Sequence, residues 1–364
     1  MRRPPDLLLL LVILALVGFG ILMVASASSV LGIDLRADPH AFAKRQFLYG
    51  ILPGLTALIV TMNIPYGLLK KIVVPLLAVV ILLLVLVFVP GLQGFYGGAA
   101  RWVRVGPLSI QPAELAKLSL ILYLAALLAG REARHGHVRE ALLPFLVTVG
   151  VVAVLIAAQP DIGTLVVVTG ASLFMYALAG APWSHLVSIF IFSTATLLAL
   201  VRAAPYRVAR FITFLRPEAD PTGIGYQIQQ ALLAIGSGGI WGLGLGRSRQ
   251  KFRYLPEPAG DAIFSIASEE LGFLRITLFL LLYAFLIIRG YQIARSAPDA
   301  FGRFVAAGIT SWFFVQMTVH IGANMALLPL TGIPLPFVSY GGSALVVAMA
   351  GAGILLNISR YSKN

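Results

Sequence analysis

The chain has 364 residues, 59% of them hydrophobic and 11% charged, and its 27 lysines and arginines outnumber 14 acids for a formal charge of +13. Charged residues at roughly half the usual share of about 25% exclude an ordinary soluble globular domain. The absence of cysteine excludes disulfides and thiolate metal sites.

Ten apolar runs are long enough to cross a hydrocarbon core of about 30 Å. They cover approximately residues 7–27, 46–64, 72–90, 113–129, 142–159, 163–180, 185–203, 262–288, 304–324 and 343–358. The pattern predicts an all-α polytopic membrane protein, a single integral membrane domain over residues 1–364, with almost nothing left for a soluble domain. Arg2, Arg3 and VASAS give the first run some features of a cleavable signal. Its 18-residue apolar stretch from Leu7 to Val24 exceeds a signal core, so it is read as a retained first span. With the N-terminus in the cytoplasm, twelve basic residues, among them Lys70, Lys71, Arg139, Arg289 and Arg360, fall on inside segments and five on short outside loops. That bias places both termini in the cytoplasm.

The first polar cluster enters the fourth span through GGAARWVRVGPLSIQPAELAKL, which supplies Arg101, Trp102, Arg104, Glu114 and Lys117. Glu114 and Lys117 are three apart and share a helical face, so a structural ion pair between helices is open to them as well as a role in a site. QPDIGT, joining spans five and six, holds Gln159 and Asp161, with Pro160 suited to a turn and Asp161 to a helix cap.

Residues 204–261 form a connection far too long for a simple turn. Eight basic residues between Arg202 and Arg253 face three acids, which implies an anionic partner or lipid headgroups on the outer side. Ile224, Ile228, Leu232 and Ile235 recur at helical spacing and predict a short interfacial helix. Six glycines from Gly236 to Gly246 then read as a flexible turn. In RSRQKFR, Arg247, Arg249, Lys251 and Arg253 are two residues apart, so an extended chain would present all four on one face to a phosphate or diphosphate.

The next stretch, LPEPAGDAIFSIASEELGF, gathers Glu257, Asp261, Glu269 and Glu270 directly before an apolar run. A helix from Asp261 to Ile288 would rise about 42 Å, longer than the hydrocarbon core, and would align Asp261, Ser265, Ser268 and Gly272 on one face. Two uses of Asp261 stay open at this point: capping the helix N-terminus, or facing a hydrated cavity as a functional acid. Last, PLTGIPLPFVSYGGS breaks the chain before span ten, and irregular backbone at this depth belongs in protein or along a cavity. All the clusters fall on one predicted side of the membrane and describe one outward-facing polar site.

These ordered motifs resemble the SEDS family, the bacterial FtsW, RodA and SpoVE proteins, almost end to end. RPPDLLLLLVILALVGFGILMVASASS, ARWVRVGPLSIQPAELAKL, QPDIGT, RFITFLRPEADPTGIGYQ, the LPE…D…EELGF stretch and PFVSYGGS carry the likeness. GLGLGRSRQKFRYLPE leans toward FtsW, while SYGGSALVVAMAGAGI is equally similar to RodA. The resemblance implies a peptidoglycan glycosyltransferase that polymerises lipid II on the outer face of the cytoplasmic membrane, beside a class B penicillin-binding protein and other division or elongation proteins. The family's catalytic Asp matches Asp261, and its Glu and Lys on span four match Glu114 and Lys117. Arg101, Trp102, Gln159, Asp161 and the serine of PFVSYGGS beside Val338 are carried as supporting residues. The family pattern P-E-x-H-T-D-F is altered here, with Ala259, Gly260 and Ala262 around the acid.

The implied chemistry is one inverting displacement, with Asp261 as general base on the acceptor hydroxyl. Arg210, the Arg247–Arg253 series and a Mg²⁺ or Mn²⁺ ion would stabilise the departing diphosphate, and no organic cofactor is expected. Two other classes are open to such a sequence. A lipid flippase needs ionisable groups across the midplane, and spans such as 72–90 carry none. A scaffold needs only exposed helix faces.

Overall fold

A computed structural model describes residues 4–96, 99–105, 108–130, 138–202, 205–220 and 223–361. Arg2, Arg3, Arg131, Arg134 and Lys363, which contribute to the inside charge, lie outside the described residues.

Every apolar run is helical, because backbone groups out of reach of water must bond within their own segment. The chain forms α1 (Leu7–Ala27), α2 (Ser29–Arg36), α3 (Ala41–Gln46), α4 (Leu52–Asn63), α5 (Tyr66–Leu86), α6 (Pro112–Ala129) and α7 (Leu143–Ala158). It continues through α8 (Ile162–Leu178), α9 (Trp183–Arg202), α10 (Pro205–Leu215), α11 (Ile224–Ser237), α12 (Ile263–Ser296), α13 (Ala300–Asn324) and α14 (Gly342–Ser359). A π-helical turn, Phe47–Ile51, joins α3 to α4 into one apolar segment. Among the described residues eight segments are long and apolar enough to cross a membrane, and α8 and α9 are shorter apolar helices. Acids serve at helix starts: Asp6, Asp161 and Asp299 each accept a backbone N–H of the first turn.

α13 is the central helix, packed against α6, α8, α12 and α14. Gly308 shows how tightly: a Cβ there would lie 2.5 Å from Met175 of α8 and 2.6 Å from Ile121 of α6. Small residues let the three backbones approach, as is usual where helices associate in lipid. Trp312, Phe313, Tyr283 and Tyr176 fill the space between helices, whereas Leu82, Val154, Phe192 and Leu278 point outward in the manner of lipid-facing side chains.

Two features depart from the sequence reading. The entry to α6 is a three-stranded antiparallel sheet, β1 (Gln93–Tyr96), β2 (Ala99–Val105) and β3 (Leu108–Ile110), in spatial order β1-β2-β3. Polar and apolar residues do not alternate through Arg101, Trp102, Val103 and Arg104, so the segment carries no period-two signal for a strand. The second departure is in α12, which is not one long rod. Gly272 has φ 74° and ψ 176°, so a short helical arm from Ile263 meets the spanning part at a sharp break. The uninterrupted face through Asp261, Ser265, Ser268 and Gly272 therefore does not form, because Asp261 precedes the helix and Gly272 interrupts it.

Candidate active site

Asp261 lies in a tight turn just before α12, half-buried, with Ala262 in the N-cap position. The turn closes locally when the N–H groups of Gly260 and Ala262 donate to the Glu257 carbonyl at 3.1 and 3.3 Å. Three successive carbonyls then accept donors from elsewhere. Ala259 accepts the Tyr340 N–H at 2.8 Å, Gly260 the Ser339 hydroxyl at 2.8 Å, and Asp261 the Asn324 side-chain amide at 2.9 Å. All three bonds go to backbone, so the departures at Ala259, Gly260 and Ala262 leave the anchoring of the acid intact. Across from the carboxylate stands Gly332, with φ 69°, where a Cβ would lie 3.2 Å from Oδ2 of Asp261.

The segment between α13 and α14 is the hub that brings the sequence clusters together. Gly163 at the start of α8 packs so closely on it that a Cβ would meet Ile333 at 2.4 Å and the Thr331 carbonyl at 2.8 Å. The Ser339 hydroxyl donates to Gly260 and accepts the Leu335 N–H at 2.8 Å. Position 338, a sequence candidate, is the buried Val338; the serine that does the anchoring is Ser339. Buried Gln46, at the π turn, accepts the Gly341 N–H at 3.0 Å and donates to the Ser339 carbonyl at 3.3 Å. Tyr283 of α12 donates to the Pro336 carbonyl. Irregular backbone thus finds its partners in protein, as its depth demands.

Glu114 and Lys117 are buried as an ion pair, with Nζ 2.8 Å from each carboxylate oxygen. Lys117 also donates to Oε1 of Gln316 at 2.9 Å and lies 5.3 Å from the Trp312 ring centre. These contacts open onto a set of residues that sequence reasoning missed. Trp312, Gln316, His320 and Asn324 repeat every four residues along α13. Gln316 accepts the Trp312 indole N–H at 2.6 Å and donates to the Pro334 carbonyl at 2.7 Å. His320 donates through Nδ1 to the Ile333 carbonyl at 2.7 Å. Asn324 donates to the His320 and Asp261 carbonyls and accepts the Ser265 hydroxyl at 2.8 Å. The ladder connects the Glu114–Lys117 pair to the turn that carries Asp261. Its sequence signal was a polar side chain at every fourth position within an apolar span.

Arg101 reaches from β2 to the α7–α8 turn, donating to the Gln159 carbonyl at 3.3 Å and the Pro160 carbonyl at 2.6 Å. Gln159 is buried and donates to the Leu84 carbonyl at 3.0 Å. Asp161 caps α8, accepting the Thr164 N–H at 3.1 Å and the Thr164 hydroxyl at 2.9 Å. Trp102 is half-buried on β2. Arg101, Gln159 and Asp161 thus tie β2, the α7–α8 turn, the end of α5 and the start of α8 together.

The basic series is not one face. Residues 247–256 run through turns, which disperse side chains that an extended strand would align. Arg247 and Arg249 are exposed, but Lys251 is buried, 3.2 Å from Glu270, and Arg253 turns away to pair with Asp34 at 2.8 Å. Arg210 lies on α10, and its side chain is outside the described residues. The glycine run is equally a correction, being a splint and not a flexible turn. The N–H groups of Leu243 and Gly244 donate to the Glu269 and Glu270 carbonyls, and the Phe273 and Leu274 N–H groups donate to Gly239 and Ile240, at 2.8–3.2 Å. Backbone groups freed by the break at Gly272 are thereby satisfied. Along α11, Ile228 is buried while Leu232 and Leu233 face outward, so the expected apolar stripe divides between protein and surroundings.

A bundle of apolar helices that gathers irregular loops and an anchored carboxylate at one end of a central helix defines a multi-pass membrane protein with a polar site at that end. The chain belongs to the FtsW/RodA/SpoVE family, described as cell cycle proteins, whose family model matches residues 6–364. It is 44% identical over 362 residues to stage V sporulation protein E of Bacillus subtilis (strain 168), covering 100% of this chain and 99% of that protein. It is 39% identical over 358 residues to a probable peptidoglycan glycosyltransferase FtsW of Geobacter metallireducens, covering 98% and 95%. Among solved structures, the rod shape determining protein RodA of Thermus thermophilus superposes with a TM-score of 0.72 at 29% identity, over 99% of this chain and 98% of that one. A chain from a study of polymerization and crosslinking by a peptidoglycan synthase complex gives 0.81 at 28% identity, over 99% of both chains.

Proposed function

We propose that this chain is a peptidoglycan glycosyltransferase that polymerises lipid II into β-1,4 glycan strands at the outer face of the bacterial cytoplasmic membrane. The relatives named as such enzymes support the class. The observation that carries the mechanism is Asp261: its turn is tied at three consecutive carbonyls, and its carboxylate faces a residue with no side chain.

In this reading the donor sugar is α-linked to undecaprenyl diphosphate, and the acceptor 4-hydroxyl attacks its C1 from the opposite face. The new bond is β, the C1–O bond to diphosphate breaks, and the hydroxyl proton passes to Asp261 as attack proceeds. Exposed Arg247 and Arg249 bind the diphosphate alike in the bound donor and as it departs. Glu114 and Lys117 act at a distance, through Gln316 and the α13 ladder, by fixing the hub against which the Asp261 turn rests. The positive-inside bias of the sequence supports an orientation with this end of the bundle outside the cytoplasm and both termini within it. A class B penicillin-binding protein is the expected partner, cross-linking the product.

A Mg²⁺ or Mn²⁺ site was expected from the chemistry of diphosphate. Among the described residues no group of three or more His, Asp or Glu could hold a metal ion, and Glu269 and Glu270 are committed elsewhere. No dedicated metal cage forms among the described residues, and no step is assigned to a cation.

The test is polymerisation of purified lipid II with and without a class B partner. Wild type yields strands that a muramidase cleaves, confirming β-1,4 bonds, and Asp261→Ala yields none although it still binds lipid II. Strands from Asp261→Ala would overturn the assignment of Asp261 as the base.

A further inference from the structure

The mechanism leaves two buried acids unused. Glu269 and Glu270 are 1% and 0% exposed, on the arm between Asp261 and the break at Gly272. All of their partners but Ser26 of α1 come from one short segment. Glu269 accepts the Ser248 hydroxyl, the Arg249 N–H at 3.0 Å and the Gln250 N–H at 3.3 Å. Glu270 accepts the Ser248 N–H at 3.2 Å, Lys251 Nζ at 3.2 Å and the Ser26 hydroxyl of α1 at 2.7 Å. Lys251 in turn donates to the Gly246 carbonyl at 2.7 Å. Each carboxylate thus collects three convergent donors. Residues 243–251 are therefore folded around two side chains of the arm, and Arg247 and Arg249 are left projecting from the outside of the fold.

The same arm continues directly from the Asp261 turn. Glu269 stands six residues into α12, about 9 Å of helix at about 1.5 Å per residue. Its bond to the Arg249 N–H thus sets the separation between that arginine's backbone and the turn holding the acid. Bidentate recognition of a phosphate by guanidinium depends on placement at the ångström level.

We propose that Glu269 is a positioning residue for the lipid-linked diphosphate: it fixes Arg249 relative to Asp261, and the Glu270–Lys251 pair pins the same loop to α1. The inference rests on the glycosyltransferase reading given above. It makes Glu269 a determinant of substrate affinity although it touches no substrate.

The experiment uses the full chain with its partner in nanodiscs, comparing Glu269→Ala, Glu269→Gln, Arg249→Ala and the Glu269→Ala/Arg249→Ala double variant. Glu269→Ala is expected to raise KM for lipid II about tenfold while kcat stays within about threefold. Arg249→Ala is expected to do the same, and the double variant to exceed either single by no more than about twofold, because both changes remove one interaction. Glu269→Gln keeps one acceptor oxygen, for the Arg249 N–H, and loses the one that takes the Gln250 N–H, so its KM is expected to fall between those of wild type and Glu269→Ala. Hydrogen exchange rises at both the Arg249 and Gln250 amides in Glu269→Ala, and in Glu269→Gln the Arg249 amide keeps its protection while the Gln250 amide loses it. An unchanged KM in Glu269→Ala, a loss confined to kcat, or fully multiplicative losses in the double variant overturns the proposal. If wild type makes no polymer, the enzymatic reading fails separately. The lipid II Kd then decides the positioning: about tenfold weaker in Glu269→Ala supports it, and equality overturns it. Should Glu269→Ala not fold, Ser248→Ala takes its place, with an expected rise in KM of about threefold.

Discussion

A carboxylate can take a proton only where the hydroxyl is presented, so the residues that hold Asp261 matter as much as its charge. Asn324→Ala and Ser339→Ala each release one carbonyl of the turn, and each is expected to lower kcat about tenfold with a small change in Tm, read by polymerisation kinetics and thermal unfolding in detergent. Lys117→Met leaves Glu114 buried and unpaired, which costs about 3–5 kcal/mol. The Glu114→Gln/Lys117→Met double variant removes both charges and recovers most of that stability, while its activity remains low because Gln316 loses its cationic donor. Several of these roles were legible beforehand. The three-residue spacing of Glu114 and Lys117 announced a helical pair, and Asp161 after Pro160 announced a cap. The α13 ladder was not, because Gln316, His320 and Asn324 lie within a run whose apolar character dominates, and their partners are backbone carbonyls distant in sequence.

At the scale of elements, the break in α12 is the feature that composition concealed. The run from Ile263 to Ile288 reads as one helix by hydropathy, and a lone glycine inside it is tolerated in many helices. The break is fixed by the approach of a second backbone: a Cβ on Gly272 would lie 2.2 Å from the Gly242 nitrogen. Gly272→Ala must therefore displace the 239–244 splint as well as force alanine to φ 74°, and it is expected to destabilise by about 2 kcal/mol or more, measured as a fall in Tm. The same contact explains why six glycines between Gly236 and Gly246 act as a rigid part and not a hinge. The basic series failed as a single face for a related reason. Two-residue spacing predicts alignment only in an extended strand, and Glu269 and Glu270 fold that segment into turns.

For the molecule as a whole, the all-α membrane architecture was the most legible feature, since about twenty apolar residues leave the backbone few alternatives in lipid, and eight of the described segments meet that length and apolarity. Their assembly was less so: neither the sheet before α6 nor the hub between α13 and α14 can be read from hydropathy. Sidedness has a direct check, because the chain has no cysteine of its own. A single cysteine replacing exposed Arg249 is expected to react with a membrane-impermeant maleimide added outside spheroplasts, whereas one replacing Lys70 reacts only after lysis. The measurement that bears most directly on the whole account is single-turnover lipid II polymerisation by wild type and Asp261→Asn in nanodiscs with the class B partner. Asparagine keeps the shape and the anchored turn but cannot accept the proton, so the rate is expected to fall by about 10²–10⁴ with lipid II affinity unchanged. A rate for Asp261→Asn within about threefold of wild type contradicts the account, because a general base cannot be removed at so small a cost.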